Sequence, residues 1–212
     1  MLVCSRTAAL AAARPALVRR GLWLNYLALA YNTVEAIVSI AAGLVAGSVA
    51  LVGFGVDSGI EVTASLAAQW RLRVDIDPVR RERVERVTHQ VIGASFLVLA
   101  AYVVVDSITT LWAREAPEPS TVGLVILVLS VLVMPILARA KRRVARALQS
   151  RALEADAAQT SLCAYLSVIA LAGVGLNAAF GWWWADPAAA LAMVPIIGKE
   201  GMEGLRGEAE CM

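Results

Sequence analysis

The chain has 212 residues, of which 59% are hydrophobic and 17% charged, with a formal net charge of +2 and a mean hydropathy of +0.70. A soluble domain carries about 45–50% apolar and about 25% charged residues, so these values argue against a soluble enzyme and for one compact integral membrane bundle. Three cysteines (Cys4, Cys163, Cys211) give no disulfide framework, and a single histidine, His89, rules out a His-rich metal site.

Residues 1–20 are alanine-rich, broken by Arg14 and Pro15 and closed by Arg19-Arg20. No cleavable signal is evident in them, and they read as a basic tail, helical in part, at the membrane surface. Six apolar segments follow, each expected to be a spanning helix; about 20 residues cross about 30 Å of hydrocarbon. The first runs from about Leu22 to Leu44 and carries Asn25, Asn32 and Glu35. After an Ala46-Gly47-Ser48 turn, the second covers about Val49 to Trp70. An Arg/Asp/Glu-rich connector with Pro78 precedes the third, about Val91 to Trp112. A loop with two prolines, Arg114 to Ser120, leads to the fourth, about Val122 to Ala138, which contains Pro135. The Lys141-Arg142-Arg143 connector precedes the fifth, about Ala157 to Phe180. A tight turn over Gly181 to Asp186 opens the sixth at Pro187, a favoured first helical position. Its apolar run fades at Lys199, with helix expected to about Leu205.

Charge placement sets the expected orientation. With the N-terminus inside, 18 of the 19 Lys and Arg residues fall on the inner side, leaving only Arg114 outside. The positive-inside rule then puts both termini in the cytoplasm. Trp23 and Trp70 fall at inner ends and Trp112 and Trp182 to Trp184 at outer ends, as two aromatic belts. The basic connectors alternate with acids and flank spanning segments, so they read as topology signals and no nucleic-acid partner is expected. The expected fold is an all-α polytopic bundle: a cytoplasmic tail over residues 1–20, a six-helix transmembrane domain over 21–206 and a short cytoplasmic tail over 207–212.

The chemistry centres on Val56-Asp57-Ser58-Gly59-Ile60-Glu61-Val62 in the second segment. Four residues are about one helical turn, so Asp57 and Glu61 share a helix face. Each ionised group inside a bilayer costs several kcal/mol unless paired, solvated or metal-bound, and two so close repel each other, which a divalent cation relieves. A packing role, each acid bonded to neighbouring helices, is the competing account. The fifth segment repeats the spacing with Gln159 and Cys163. Packed together, the two helices would gather two carboxylates, an amide oxygen and a thiol, a set suited to a tetrahedral divalent ion.

On these residues the chain resembles the cation diffusion facilitator (cation efflux) family of divalent-metal transporters with six spanning helices. The likeness is carried by Gly47-Ser48-Val49-Ala50-Leu51 leading into Asp57-Ser58-Gly59-Ile60-Glu61, by Ala155-Asp156-Ala157 before Gln159, and by Trp184-Ala185-Asp186-Pro187. The resemblance implies a transport site on helices two and five, and so Asp57, Glu61, Gln159 and Cys163 as metal ligands. Glu61 stands where the family usually has Asp, Gln159 where it has His or Asp, and Cys163 where it has Asp; a neutral amide leaves three strong ligands. The chain ends shortly after the sixth segment, so the expectation is a short form without the family's cytoplasmic C-terminal domain.

The expected function is therefore a secondary transporter exporting a divalent transition metal, zinc foremost, from the cytoplasm in exchange for protons. The outward direction and a homodimer are implied by the resemblance alone. The expected setting is the plasma membrane, with metal cation, protons and lipid as partners and no tightly bound cofactor. The alternative is a transport-inactive protein of the same fold, acting as metal sensor or assembly partner. No nucleophile–base set, phosphate loop or redox Cys pair suggests an enzyme. Glu35 and Asp106 are open to roles as proton carriers, as partners of the ligands or as helix-to-helix bonds. Glu154 and Asp156 read as first-turn acids favoured by the helix macrodipole. Cys211 with Glu208 and Glu210 reads as solvated tail, with metal collection the lesser account. Gly43, Gly47, Gly53, Gly55, Gly173 and Gly175 allow close helix contact.

Overall fold

Residues 2–73, 78–148 and 151–206 are described by the computed structural model, and among them there are six α-helices and no strand. These are α1 (Leu2–Ala46), α2 (Val49–Arg73), α3 (Pro78–Ala113), α4 (Thr121–Leu148), α5 (Arg151–Phe180) and α6 (Ala185–Arg206). The chain is an all-α polytopic membrane protein. Stretches long and apolar enough to cross a bilayer occupy Pro15–Ala46, Val49–Leu66, Gln90–Ala113, Thr121–Leu148 and Asp156–Phe180. The sixth helix falls outside that set because Asp186, Lys199, Glu200, Glu203 and Arg206 dilute its apolar run. At 22 residues it is still about 33 Å long.

The helices overrun the apolar segments. Helix α1 is continuous through the expected surface tail and Pro15, α3 begins at Pro78, and α4 carries on through Lys141-Arg142-Arg143, expected as a connector. The reason is that Ala, Arg, Lys and Glu are good helix formers in water. Hydropathy marks where the hydrocarbon ends, whereas propensity lets the helix continue. The 207–212 tail, with Glu208, Glu210 and Cys211, lies outside the described residues.

In cross-section the helices form a ring in the order α1, α2, α3, α6, α5, α4, closed by α4 against α1, and α2 meets α5 across the interior. Phe54, Phe96, Leu127, Met134, Leu166, Met193 and Ile197 fill the apolar part of that interior. Two glycines allow helix backbones to approach closely. A Cβ at Gly55 would stand 2.8 Å from the Ile40 backbone N, and one at Gly93 would stand 2.7 Å from the Leu205 N. Alanine at either place would push α2 from α1, or α3 from α6.

The ends of α2 and α6 that meet at the 46–49 turn are tied by polar groups. Gly47 takes φ +67° beyond α1 while the Ser48 N–H donates to the Gly43 carbonyl at 2.9 Å, a glycine-closed helix end. Ser48 Oγ then caps α2 by accepting the Leu51 N–H at 3.1 Å, and donates to Asp186 Oδ2 of α6. The Asp186 carboxylate also accepts the Ala50 N–H at 3.4 Å, so an acid of α6 sits at the positive end of α2. The loop before α4 is bound to the same end of the bundle: the Glu118 N–H donates to the Ala46 carbonyl at 2.8 Å, and Asn177 Nδ2 to the Pro117 carbonyl at 2.8 Å.

Candidate metal centre

With one end pinned, α2 and α5 meet across the interior of the ring and present polar residues to each other and to α1. Asp57 and Glu61 are stacked on α2 and are 2% and 1% exposed. Cys163 of α5 is 1% exposed, and Glu35 of α1 is completely buried. These groups fall into two layers along α2.

The first layer lies at Ser58. Its hydroxyl donates to Glu35 Oε2 at 2.8 Å and lies 4.0 Å from Cys163 Sγ. The Cys163 thiol donates to the same Glu35 oxygen at 3.7 Å. The other Glu35 oxygen, Oε1, is buried without a hydrogen-bond partner, as is Asp57 Oδ2. Asn32 precedes Glu35 by one turn on the same face of α1, fully buried, and neither of its amide atoms has a partner.

The second layer lies one turn further along α2, at Glu61. Thr160 Oγ1 of α5 donates to Glu61 Oε1 at 2.7 Å and accepts from Lys141 Nζ of α4 at 3.0 Å. Lys141 is itself buried, 3.0 Å from both carboxylate oxygens of Asp156 and 4.0 Å from Glu61 Oε1. Ser65 Oγ of α2 donates to Asp156 at 3.2 Å, and Asn25 Nδ2 of α1 to the Ser65 carbonyl at 3.3 Å. All of this leaves Glu61 Oε2 buried with no partner.

Among the described residues, no three His, Cys, Asp or Glu side chains stand at metal-holding spacing. Hydroxyls and Lys141 instead engage Glu35, Glu61 and Asp156, and each of Glu35, Asp57 and Glu61 has one buried oxygen without a partner. Of the four residues singled out by spacing, Asp57, Glu61 and Cys163 are buried on the facing sides of α2 and α5. Gln159 is half-buried at the flank of that face, and its Nε2 has no partner. Thr160, one position on, makes the bond to Glu61.

Asp156 is not simply a first-turn acid: it is buried and paired with Lys141. Glu35 belongs with the candidate ligands, whereas Asp106 lies half-exposed on α3 and accepts from Tyr102 of its own helix at 2.9 Å. Lys141 and Thr160 escaped a reading based on hydropathy. The signal for Lys141 was present in the spacing of α4, whose buried face runs Leu127, Ser130, Met134, Leu137, Lys141, Val144. Lys141 falls on that stripe, and the neighbouring Arg139, Arg142 and Arg143 fall off it.

Comparison with known proteins agrees with this architecture. The family model of the cation efflux transmembrane domain matches residues 26–208, which takes in all of α2 to α6 and the C-terminal part of α1 from residue 26. The chain belongs to the cation efflux family. Over 167 residues it is 26% identical to the magnetosome protein MamB of Paramagnetospirillum magneticum (strain ATCC 700264 / AMB-1), a match covering 76% of this chain and 56% of that relative. The chain thus spans little more than half the length of that curated relative. The family match includes every residue of both layers except Asn25.

Proposed function

We propose that this chain is the membrane domain of a secondary transporter that exports a divalent transition metal, zinc foremost, in exchange for protons. Asp57, Glu61, Gln159 and Cys163 are the proposed ligand positions, on helices two and five of a homodimer in the plasma membrane. The observation that carries this reading is a charge imbalance. Four carboxyl groups, Glu35, Asp57, Glu61 and Asp156, are buried between α1, α2 and α5, and the one buried ammonium among the described residues is Lys141. Carboxylates in excess of their counter-charges do not persist in a bilayer interior; they take up protons or a cation. Three buried oxygens without partners are available to either. Since metal and proton compete for the same oxygens and the same thiol, loading one releases the other. Alternating access around a fixed site then carries the cation across.

The competing reading, a metal sensor or assembly partner of the same fold, is favoured by the weak α5 pair, in which an amide replaces an ionisable ligand. Flux into proteoliposomes decides between them. A zinc or cadmium flux driven by a pH gradient and abolished by Asp57→Ala supports transport. Binding without flux for every divalent ion tested supports the sensor. Cross-linking of the protein in lipid tests the homodimer, which fails if only monomer is captured while flux persists.

A further inference from the structure

The ligand set drawn from α2 and α5 has a weak member in Gln159, and the interior contains a stronger candidate on a third helix. Glu35 of α1 is fully buried. Its Oε2 accepts from the Cys163 thiol at 3.7 Å. Ser58 Oγ, on α2 next to Asp57, holds that same oxygen at 2.8 Å. Oε1 of Glu35 is free, and the fully buried Asn32 one turn earlier has both amide atoms unpartnered. A buried carboxylate with one oxygen held and one free, beside a thiol, is an oriented ligand for a thiophilic divalent ion. Glu61 likewise has one oxygen engaged, Oε1 by Thr160, and one free, Oε2, but it lies next to the Lys141 ammonium, which opposes a cation there.

We infer that Glu35 is a metal ligand of the transport site, supplied by α1 and standing in the role that Gln159 fills poorly, with Cys163 and Asp57 as its partners. This rests on the reading that Cys163 and Asp57 bind the cargo. Its consequence is that α1 joins the moving site: a cation held by α1, α2 and α5 couples all three helices, whereas one held by α2 and α5 leaves α1 a passive wall.

The test is metal binding by the purified full chain in lipid nanodiscs. Zinc affinity is read by competition with a chromophoric chelator, and cadmium binding by the thiolate-to-metal charge-transfer band. Glu35→Gln keeps the acceptor for Ser58 and nearly the same shape, but loses the charge. It is expected to weaken zinc binding by about 100-fold, the upper end of the loss seen for groups that only support a ligand. Glu35→His, of similar reach and still a ligand, is expected to restore most of that affinity, which a purely structural acceptor would not do. Gln159→Ala is expected to weaken zinc binding less than Glu35→Gln does, because a neutral amide is the poorer ligand for a thiophilic ion. Wild-type affinity in Glu35→Gln, with loss in Asp57→Ala and of the cadmium band in Cys163→Ser, would overturn the assignment of Glu35 and keep the site. Wild-type binding in all three would overturn the underlying reading as well. If Glu35→Gln is not recovered folded, Glu35→His alone decides: a folded protein that binds zinc tightly supports the ligand role, and a folded one that does not removes it.

Discussion

Replacing Lys141 by Met keeps the length of the side chain and removes its charge, in a position 4% exposed on α4. The structure gives the size of the effect. Lys141 Nζ lies 3.0 Å from both oxygens of Asp156, 3.0 Å from Thr160 Oγ1 and 4.0 Å from Glu61 Oε1. At an effective dielectric constant near 20, a unit pair 4 Å apart interacts by about 4 kcal/mol, so the closer Asp156 contact is worth somewhat more in gross terms. Desolvating both ions offsets most of that gain, which is why the informative quantity is the cost of breaking the pair. A buried carboxylate stripped of its partner costs about 3–5 kcal/mol.

Lys141→Met should therefore destabilise the protein by about 3–5 kcal/mol, whereas Lys141→Met with Asp156→Leu should return to within about 1 kcal/mol of the starting protein, because the Asp156 carboxylate that lost its partner is removed too. Unfolding in mixed micelles, followed by helical circular dichroism across a series of denaturing-detergent fractions, measures both. A single variant as stable as the parent, or a double variant no better than the single, would show that the ammonium does not neutralise Asp156. Metal binding separates the structural part from the electrostatic part. The double variant restores α4–α5 packing but leaves Glu61 without its nearby cation, so its zinc affinity should stay above that of the parent.

With single cysteines introduced into a cysteine-free background, position 150 and the C-terminal tail should label only from the cytoplasmic side and position 118 only from outside; outside labelling at 150 would invert the topology. Cys163→Ser should lower zinc and cadmium transport by about tenfold or more while barely changing stability, and Cys163→Asp should keep transport but lose preference for the softest ions. Loss of folding in Cys163→Asp, with unchanged selectivity in Cys163→Ser, would mark Cys163 as merely packed. Asp186→Ala removes the acceptor for Ser48 and Ala50 at the start of α2 and should cost about 0.5–2 kcal/mol, the range for losing a helix cap; a stability equal to the parent's would show that water replaces it.

Helix number and order were legible because each apolar run is bounded by charge or by turn residues, and Gly47 and Gly181 both take the positive φ that ends a helix. Helix ends were not, because a hydropathy pattern is silent on residues that are helical in water. The extension of α4 past Ala138 matters most. Once the helix continues, Lys141 lies one turn beyond Leu137 on the buried face, and a residue that looked like part of a solvated connector becomes a buried counter-ion.

The site was half legible for a related reason. Asp57 and Glu61 announce themselves because two acids in an apolar run need an explanation in chemistry. Their partners on α5 had to be chosen by register, and there a spacing of four fits two overlapping series. Gln159 and Cys163 form one; Asp156 and Thr160 form the other, with Cys163 three residues beyond Thr160. The helix turns about 100° per residue, so Gln159 and Thr160 point in clearly different directions. The buried residues Leu153, Asp156, Thr160, Cys163, Ser167 and Ala170 trace the face turned to α2, and Gln159 sits at its margin. A ligand series chosen by element type alone prefers the amide to the hydroxyl. A series chosen by burial prefers Thr160, whose proton goes to Glu61. Glu35 could be placed by neither series, since it comes from α1 and only the ring order of the helices brings it to Cys163. A charged residue of one spanning helix is therefore best judged against the buried faces of all its neighbours, and here that comparison moves the proposed fourth ligand from α5 to α1.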